Sequence, residues 1–276
     1  MFRDRLLVSI VLTPVAFWLI FLGGIPYLFA ISMLLGIAGW ELSNLFQAGG
    51  FRPAGFLVVS GIIAILIGRY AGALAGHAFA NDSLVLVLMI FVTTGTFVVA
   101  YERGNTRAGT DMALTLGGTL YIGFLGGYLY LLRTLPDGAW WTLITLPAIW
   151  LVDSGAYLIG RQFGRHTFSP RISPKKTWEG YFGGIAMGAA GNALLCLGLQ
   201  AIAGGPIAPS PLQAALIGLT LGILTPLGDL GKSIFKRQVG LKDSGNLIPG
   251  HGGAFDRVDT WLWGSVIGYY LIVWVF

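Results

Sequence analysis

Charged side chains are scarce in this chain, and cysteine is nearly absent. Only 11% of the 276 residues are Asp, Glu, Lys or Arg, against 55% hydrophobic, which excludes an ordinary soluble globular domain. The one cysteine, Cys196, lies within an apolar run, so the sequence offers neither a disulfide framework nor a thiolate metal cluster; it reads as a small core residue. Of the three histidines, His77 and His166 have no metal-ligating neighbours at useful spacing. The chain also lacks G-x-x-x-x-G-K-[ST], which excludes a Walker-type nucleotide loop. It shows no internal repeat, so an inverted-repeat transporter has no support.

What fills the chain is hydrocarbon in membrane-length runs. The mean hydropathy is +0.76, and windows of roughly 20 apolar residues, enough to cross a bilayer core, recur throughout. Nine spans are expected, over residues 6–22, 25–46, 55–73, 84–101, 112–132, 140–160, 180–203, 212–230 and 258–276. The first, though preceded by Arg3 and Arg5, has no small-x-small cleavage site after it and reads as a retained helix. The expected fold is an all-α polytopic integral membrane protein. With 42 glycines, its helices are expected to pack closely through small residues, as in Gly183–Gly191.

Orientation follows from the cations. With the N-terminus cytoplasmic, the inner segments hold 15 of the 17 Lys and Arg, and only Arg69 and Arg133 fall outside. The net charge of +5 therefore points to lipid headgroups or an anionic substrate, and no nucleic-acid partner is expected. The chain divides into an N-terminal transmembrane scaffold, 1–139, and a C-terminal catalytic region, 140–276, with cytoplasmic loops 161–179 and 231–257.

Chemistry concentrates in the second part. The segment GDLGKSIFKRQVGLKDSGNLIPGHGGAFDRVDT, Gly228 to Thr260, carries Asp229, Asp243, His251, Asp256 and Asp259 beside Lys232, Lys236, Arg237, Lys242 and Arg257. Such charge beside membrane spans is expensive to keep, which marks a functional site. Asp153, Asp229 and Asp256 each fall near a cytoplasmic helix end. Carboxylates converging there suit Mg²⁺, which takes a few carboxylates and leaves positions for substrate phosphates. A cap or helix-dipole role is the alternative for any one of them. Glycine-rich backbone with Lys and Arg makes a phosphate-binding combination, and the loop GRQFGRHTFSPRISPKKTWEG adds Lys175 and Lys176.

The run SIFKRQVGLKDSGNLIPGHGGAFDRVD, Ser233 to Asp259, closely resembles the signature of phosphatidate cytidylyltransferases, through S-x-x-K-R, K-D, H-G-G and D-R-x-D. SPKKTWEG from Ser173 and D-x-x-A-Y from Asp153 are also similar to that family. Ala254 departs from it, standing where a larger aliphatic residue is usual. The resemblance implies transfer of the cytidylyl group of CTP to phosphatidic acid, giving CDP-diacylglycerol and pyrophosphate. It implies Asp229 and Asp256 as metal-binding acids, Mg²⁺ as the ion, a second cation such as K⁺, and a homodimer. The catalytic set it implies is Asp256, Asp229, His251, Lys236 and Arg237. The binding set is Asp153, Ser173, Lys175, Lys176, Lys242, Asp243 and Arg257. The expected location is the cell membrane, multi-pass, with the site facing the cytoplasm.

Several readings stay open at this level. His251 fits either a phosphate donor and general acid or a loop-holding role. Glu179 either closes its loop by pairing with a lysine or contacts substrate, and Glu41 either packs between helices or lines the substrate route. A CTP-dependent enzyme acting on another lipid, a polyprenol kinase or an isoprenoid ether lipid cytidylyltransferase, is the nearest rival function. An ion-coupled transporter is a more distant one, since its acids belong at mid-span.

Overall fold

A computed structural model describes residues 13–241 and 253–276. It is an assembly of helices, as backbone in lipid requires, because each peptide group must find its partner within its own segment. A short apolar helix, α1, covers Thr13–Leu22. Then come α2 (Gly24–Ala48), α3 (Gly55–Leu74), α4 (Asp82–Glu102), α5 (Ala108–Gly118) and α6 (Leu125–Thr134). After α7 (Gly138–Phe163) comes a two-stranded hairpin, β1 (Thr167–Ser169) and β2 (Ser173–Thr177). The series ends with α8 (Trp178–Ala203), α9 (Pro211–Gln238) and α10 (Phe255–Val275).

Eight of these segments are long and apolar enough to cross a membrane, α5 and α6 counting as one span of 27 residues. They match eight of the nine expected runs. Of the first run, Thr13–Leu22 is described and the rest lies outside the described residues. The chain is an all-α polytopic membrane protein whose strands, among the described residues, are confined to one hairpin. That hairpin pairs Thr167 with Thr177 and Ser169 with Ser173, antiparallel, in the loop where Pro170 and Pro174 disallow a helix.

The chain forms two compact units. Among the described residues the first comprises 13–134, 235–241 and 253–258, the second 135–234 and 259–276.

In the first unit Leu35, Ile62, Leu66, Ile122 and Leu131 are wholly buried. The join between α5 and α6 is a π-helical turn, Thr119–Phe124, whose extra residue per turn re-aims the side chains. Through it Gly123 lies so close to α3 that an added methyl would stand 3.0 Å from the Ile62 Cα. The Tyr121 ring meets Phe235 and Phe255 edge-on, at 5.6 and 6.3 Å between centroids.

The two cations that broke the charge rule have structural partners in this unit. Arg69, fully buried, donates through Nε and Nη2 to the Asp82 carboxylate and through Nη1 to the Phe124 carbonyl, at 2.9 Å. Its guanidinium also lies 4.6 Å from the ring centroids of Phe124 and Tyr128, so the charge is neutralised where it stands. Arg133 donates to the carbonyls of Ile20 and Phe21 at the end of α1, a cation on the negative end of a helix.

In the second unit glycine sets the spacing, as Gly183–Gly191 suggested. An added methyl on Gly155 of α7 would stand 2.7 Å from the Gly183 carbonyl of α8, and one on Gly188 the same distance from the Gly218 carbonyl of α9. Asn192 fastens that second contact by donating to the Ala214 carbonyl at 2.7 Å. Close backbone approach replaces the hydrophobic drive that lipid does not provide.

Candidate active site

The second unit holds a cavity of about 370 Å³ walled by α7, the hairpin, α8 and α9. Asp153, Tyr157 and Arg161 reach it from successive turns of α7, Lys175 and Lys176 from β2, and Asp229 from α9. The rest of the lining is mostly apolar, including Val152, Ala156, Gly184, Gly222 and Pro226, with Thr225 and Thr260 among the few hydroxyls. Pro226 has no N–H for the carbonyl of Gly222 four residues back. The cavity thus combines charged groups with a largely apolar lining.

Local chemistry explains how the hairpin presents its lysines. Thr177 caps α8 by accepting from the Gly180 N–H at 3.2 Å, a standard N-cap contact. Glu179, in the first turn, accepts from the Arg165 and His166 N–H groups at 3.1 and 3.2 Å and meets His166 Nδ1 at 2.6 Å. So Glu179 does close the loop, though with His166 and backbone amides where the sequence suggested a lysine. Phe168 packs edge-on against Trp178 and stacks on Tyr181. These contacts fix the strand that carries Lys175 and Lys176.

Helix α9 runs eight residues past the expected end of its span, so Asp229 and Lys232 lie on one continuous helix. Asp229 receives two ammonium groups, Lys176 at 2.5 Å and Lys232 at 3.2 Å. Lys232 also reaches Asp259 of α10 at 2.6 Å. Lys232 and Asp259 are 7% and 2% exposed, and a buried charge persists only when paired. By sequence Lys232 belonged with the anion-binding cations; in the structure it is the buried bridge between two acids. Asp259 is the residue sequence reasoning passed over. Its signal was the spacing: Asp229 and Lys232 three apart, Asp256 and Asp259 three apart, each pair on one helical face.

In the first unit Lys236 donates to Asp256 at 2.8 Å, and the Phe255 N–H donates to Glu41 of α2 at 2.9 Å. Glu41 thus binds the start of α10, a role the sequence gave no reason to assign. Ala254 is 1% exposed, so the small residue that departs from the resembled signature sits in a packed place. Ser173 is half-buried at the head of β2, while Arg237 and Arg257 are exposed. Lys242, Asp243 and His251 lie outside the described residues. Of the three acids expected together, Asp153 and Asp229 share the cavity, and Asp256 belongs to the first unit.

Among the described residues no three His, Cys, Asp or Glu side chains are grouped to hold a metal ion. Mg²⁺ needs fewer, since one or two carboxylates suffice when substrate phosphates and water complete its shell. Asp153 and Asp229 supply two such carboxylates on one cavity, so the donor set fits that ion.

Residues 3–275 match the profile of the cytidylyltransferase family. The chain belongs to this family. As a cytidylyltransferase it is 36% identical over 263 residues to the phosphatidate cytidylyltransferase of Brucella suis biovar 1, covering 93% of this chain and 88% of that one. It is 32% identical over 262 residues to the phosphatidate cytidylyltransferase of Staphylococcus saprophyticus, covering 94% and 95%. With the phosphatidate cytidylyltransferase of Synechocystis sp. it shares 30% identity over 302 residues, covering 98% and 96%.

Proposed function

We propose that this cytidylyltransferase joins CTP and phosphatidic acid, releasing pyrophosphate and forming CDP-diacylglycerol. The observation that carries the reading is the mixed character of the cavity, which brings Asp153, Lys175, Lys176 and Asp229 together with a largely apolar lining. A substrate that is phosphate at one end and hydrocarbon at the other matches it, and family membership supplies the nucleotide.

A phosphate oxygen of the lipid attacks the α-phosphorus of CTP, and the bond from that phosphorus to the bridging oxygen of the β-phosphate breaks. The lipid phosphate, with a second pKa of about 6, is already largely dianionic at neutral pH, so no strong general base is required. The work of the site is to hold two polyanions together. Lys176 and Lys175 line the cavity for phosphate oxygens, and Lys232 keeps Asp229 aimed while neutralising Asp259. Asp229 and Asp256 are the proposed Mg²⁺ ligands, with Asp153 a further one; the ion supplies charge neutralisation for the phosphates. Lys236, Arg237, Arg257, Ser173, Lys242, Asp243 and His251 complete the proposed set of contacts. A second cation such as K⁺, a homodimer, and a site opening to the cytoplasm of the cell membrane belong to the same proposal.

Incubation of the purified protein with labelled CTP and phosphatidate, with and without Mg²⁺, tests it. Labelled CDP-lipid that depends on Mg²⁺ is the expected product. Label on a free polyprenol, or no turnover beside ion flux in liposomes, overturns the reading.

A further inference from the structure

We infer that Glu41 is a positioning residue for this reaction: its carboxylate holds the first turn of α10 and, through it, Asp256. The inference rests on the function proposed above. Glu41 lies far from the signature segments in sequence and belongs to a helix that otherwise reads as scaffold. Yet it is only 7% exposed, and a buried carboxylate needs a stated partner. One oxygen, Oε2, accepts the Phe255 N–H at 2.9 Å. The other, Oε1, has no hydrogen-bond partner among the described residues.

The start of α10 explains why an outside group is needed. A helix leaves its first N–H groups without internal partners, and a Ser, Thr, Asp or Asn just before it normally accepts one. Here the preceding residues are Gly253 and Ala254, which have no side-chain acceptor. Ala254 and Phe255 are 1% and 0% exposed, so water does not substitute. Glu41 fills that gap with a carboxyl oxygen at the positive end of the helix.

The consequence falls on the next residue. Asp256 meets Lys236 at 2.8 Å, and its direction is set by the turn that Glu41 fastens. Removing the acceptor frees that turn to fray, and Asp256 loses the direction that the turn gives it.

The test compares Glu41→Ala with Glu41→Gln in the full-length protein. The carboxamide oxygen of Gln still accepts the Phe255 N–H, so E41Q is expected to stay within about threefold of wild type, whereas E41A falls about tenfold or more in kcat, as loss of a supporting contact does. The Mg²⁺ concentration for half-maximal rate is expected to rise in E41A and return in E41Q, a readout that a merely structural loss of folded protein leaves unchanged. Hydrogen exchange over residues 254–258 is expected to quicken in E41A alone. Equal losses in the two variants, or an unaltered Mg²⁺ response and unaltered exchange in E41A, overturn the inference. If wild type makes no CDP-lipid, the function reading has failed, and the exchange measurement still decides whether Glu41 holds the turn.

Discussion

Lys232 binds two acids at once, its ammonium 3.2 Å from Asp229 and 2.6 Å from Asp259. One buried cation therefore fixes the acid of α9 relative to that of α10, and the cavity lysine Lys176 approaches the same Asp229 from the hairpin.

Lys232→Met is expected to be strongly destabilising, by about 3–5 kcal/mol, because it strands the buried Asp259 without a counter-charge. The double variant Lys232→Met with Asp259→Leu removes both charges and is expected to regain much of that loss. Thermal unfolding of the detergent-solubilised protein checks the order; a double variant no better than the single one counts against the pairing.

Asp256→Asn is expected to abolish Mg²⁺-dependent CDP-lipid formation, a loss of roughly 100-fold or more for a ligand removed without a change of shape. Folding and insertion should survive. Turnover near the wild-type rate would sink the metal assignment.

Lys176→Ala takes one cation from the cavity and is expected to lower kcat/KM for CTP roughly 100-fold, as loss of a transition-state donor does. Lys175→Ala is expected to do less, since Lys175 is exposed while Lys176 already pairs with Asp229. Steady-state kinetics at fixed surface concentration of phosphatidate separates the two.

Arg69→Leu is expected to act on stability alone, by about 3–5 kcal/mol, since it leaves the Asp82 carboxylate without its buried partner. Activity per folded molecule should stay within about twofold, as for residues away from the chemistry. A selective loss of kcat with an unchanged melting temperature would place Arg69 in the catalytic apparatus after all.

The eight spans were legible because bilayer thickness fixes how long an apolar run must be, a property of each segment alone. The candidate chemistry was legible for a similar reason: acids, lysines and glycines packed into two short segments stand out against hydrocarbon. The hairpin was readable only as a helix-free loop, since Pro170 and Pro174 exclude one structure without choosing another.

By itself, then, the sequence determined that this is an all-α membrane protein of the cytidylyltransferase family, and where along the chain its charge gathers. Only the tertiary structure decided which charges meet. Glu41 and Phe255 are 214 residues apart, and the partners of Lys232 lie on two helices. Pairing at such separations depends on how helices pack, as where Gly228 of α9 makes room for the Trp263 ring of α10, and packing is a property of two surfaces together. The same holds for the π turn at Thr119–Phe124 and for Arg69, whose neutralisation by Asp82 turned an exception to the charge rule into part of a core.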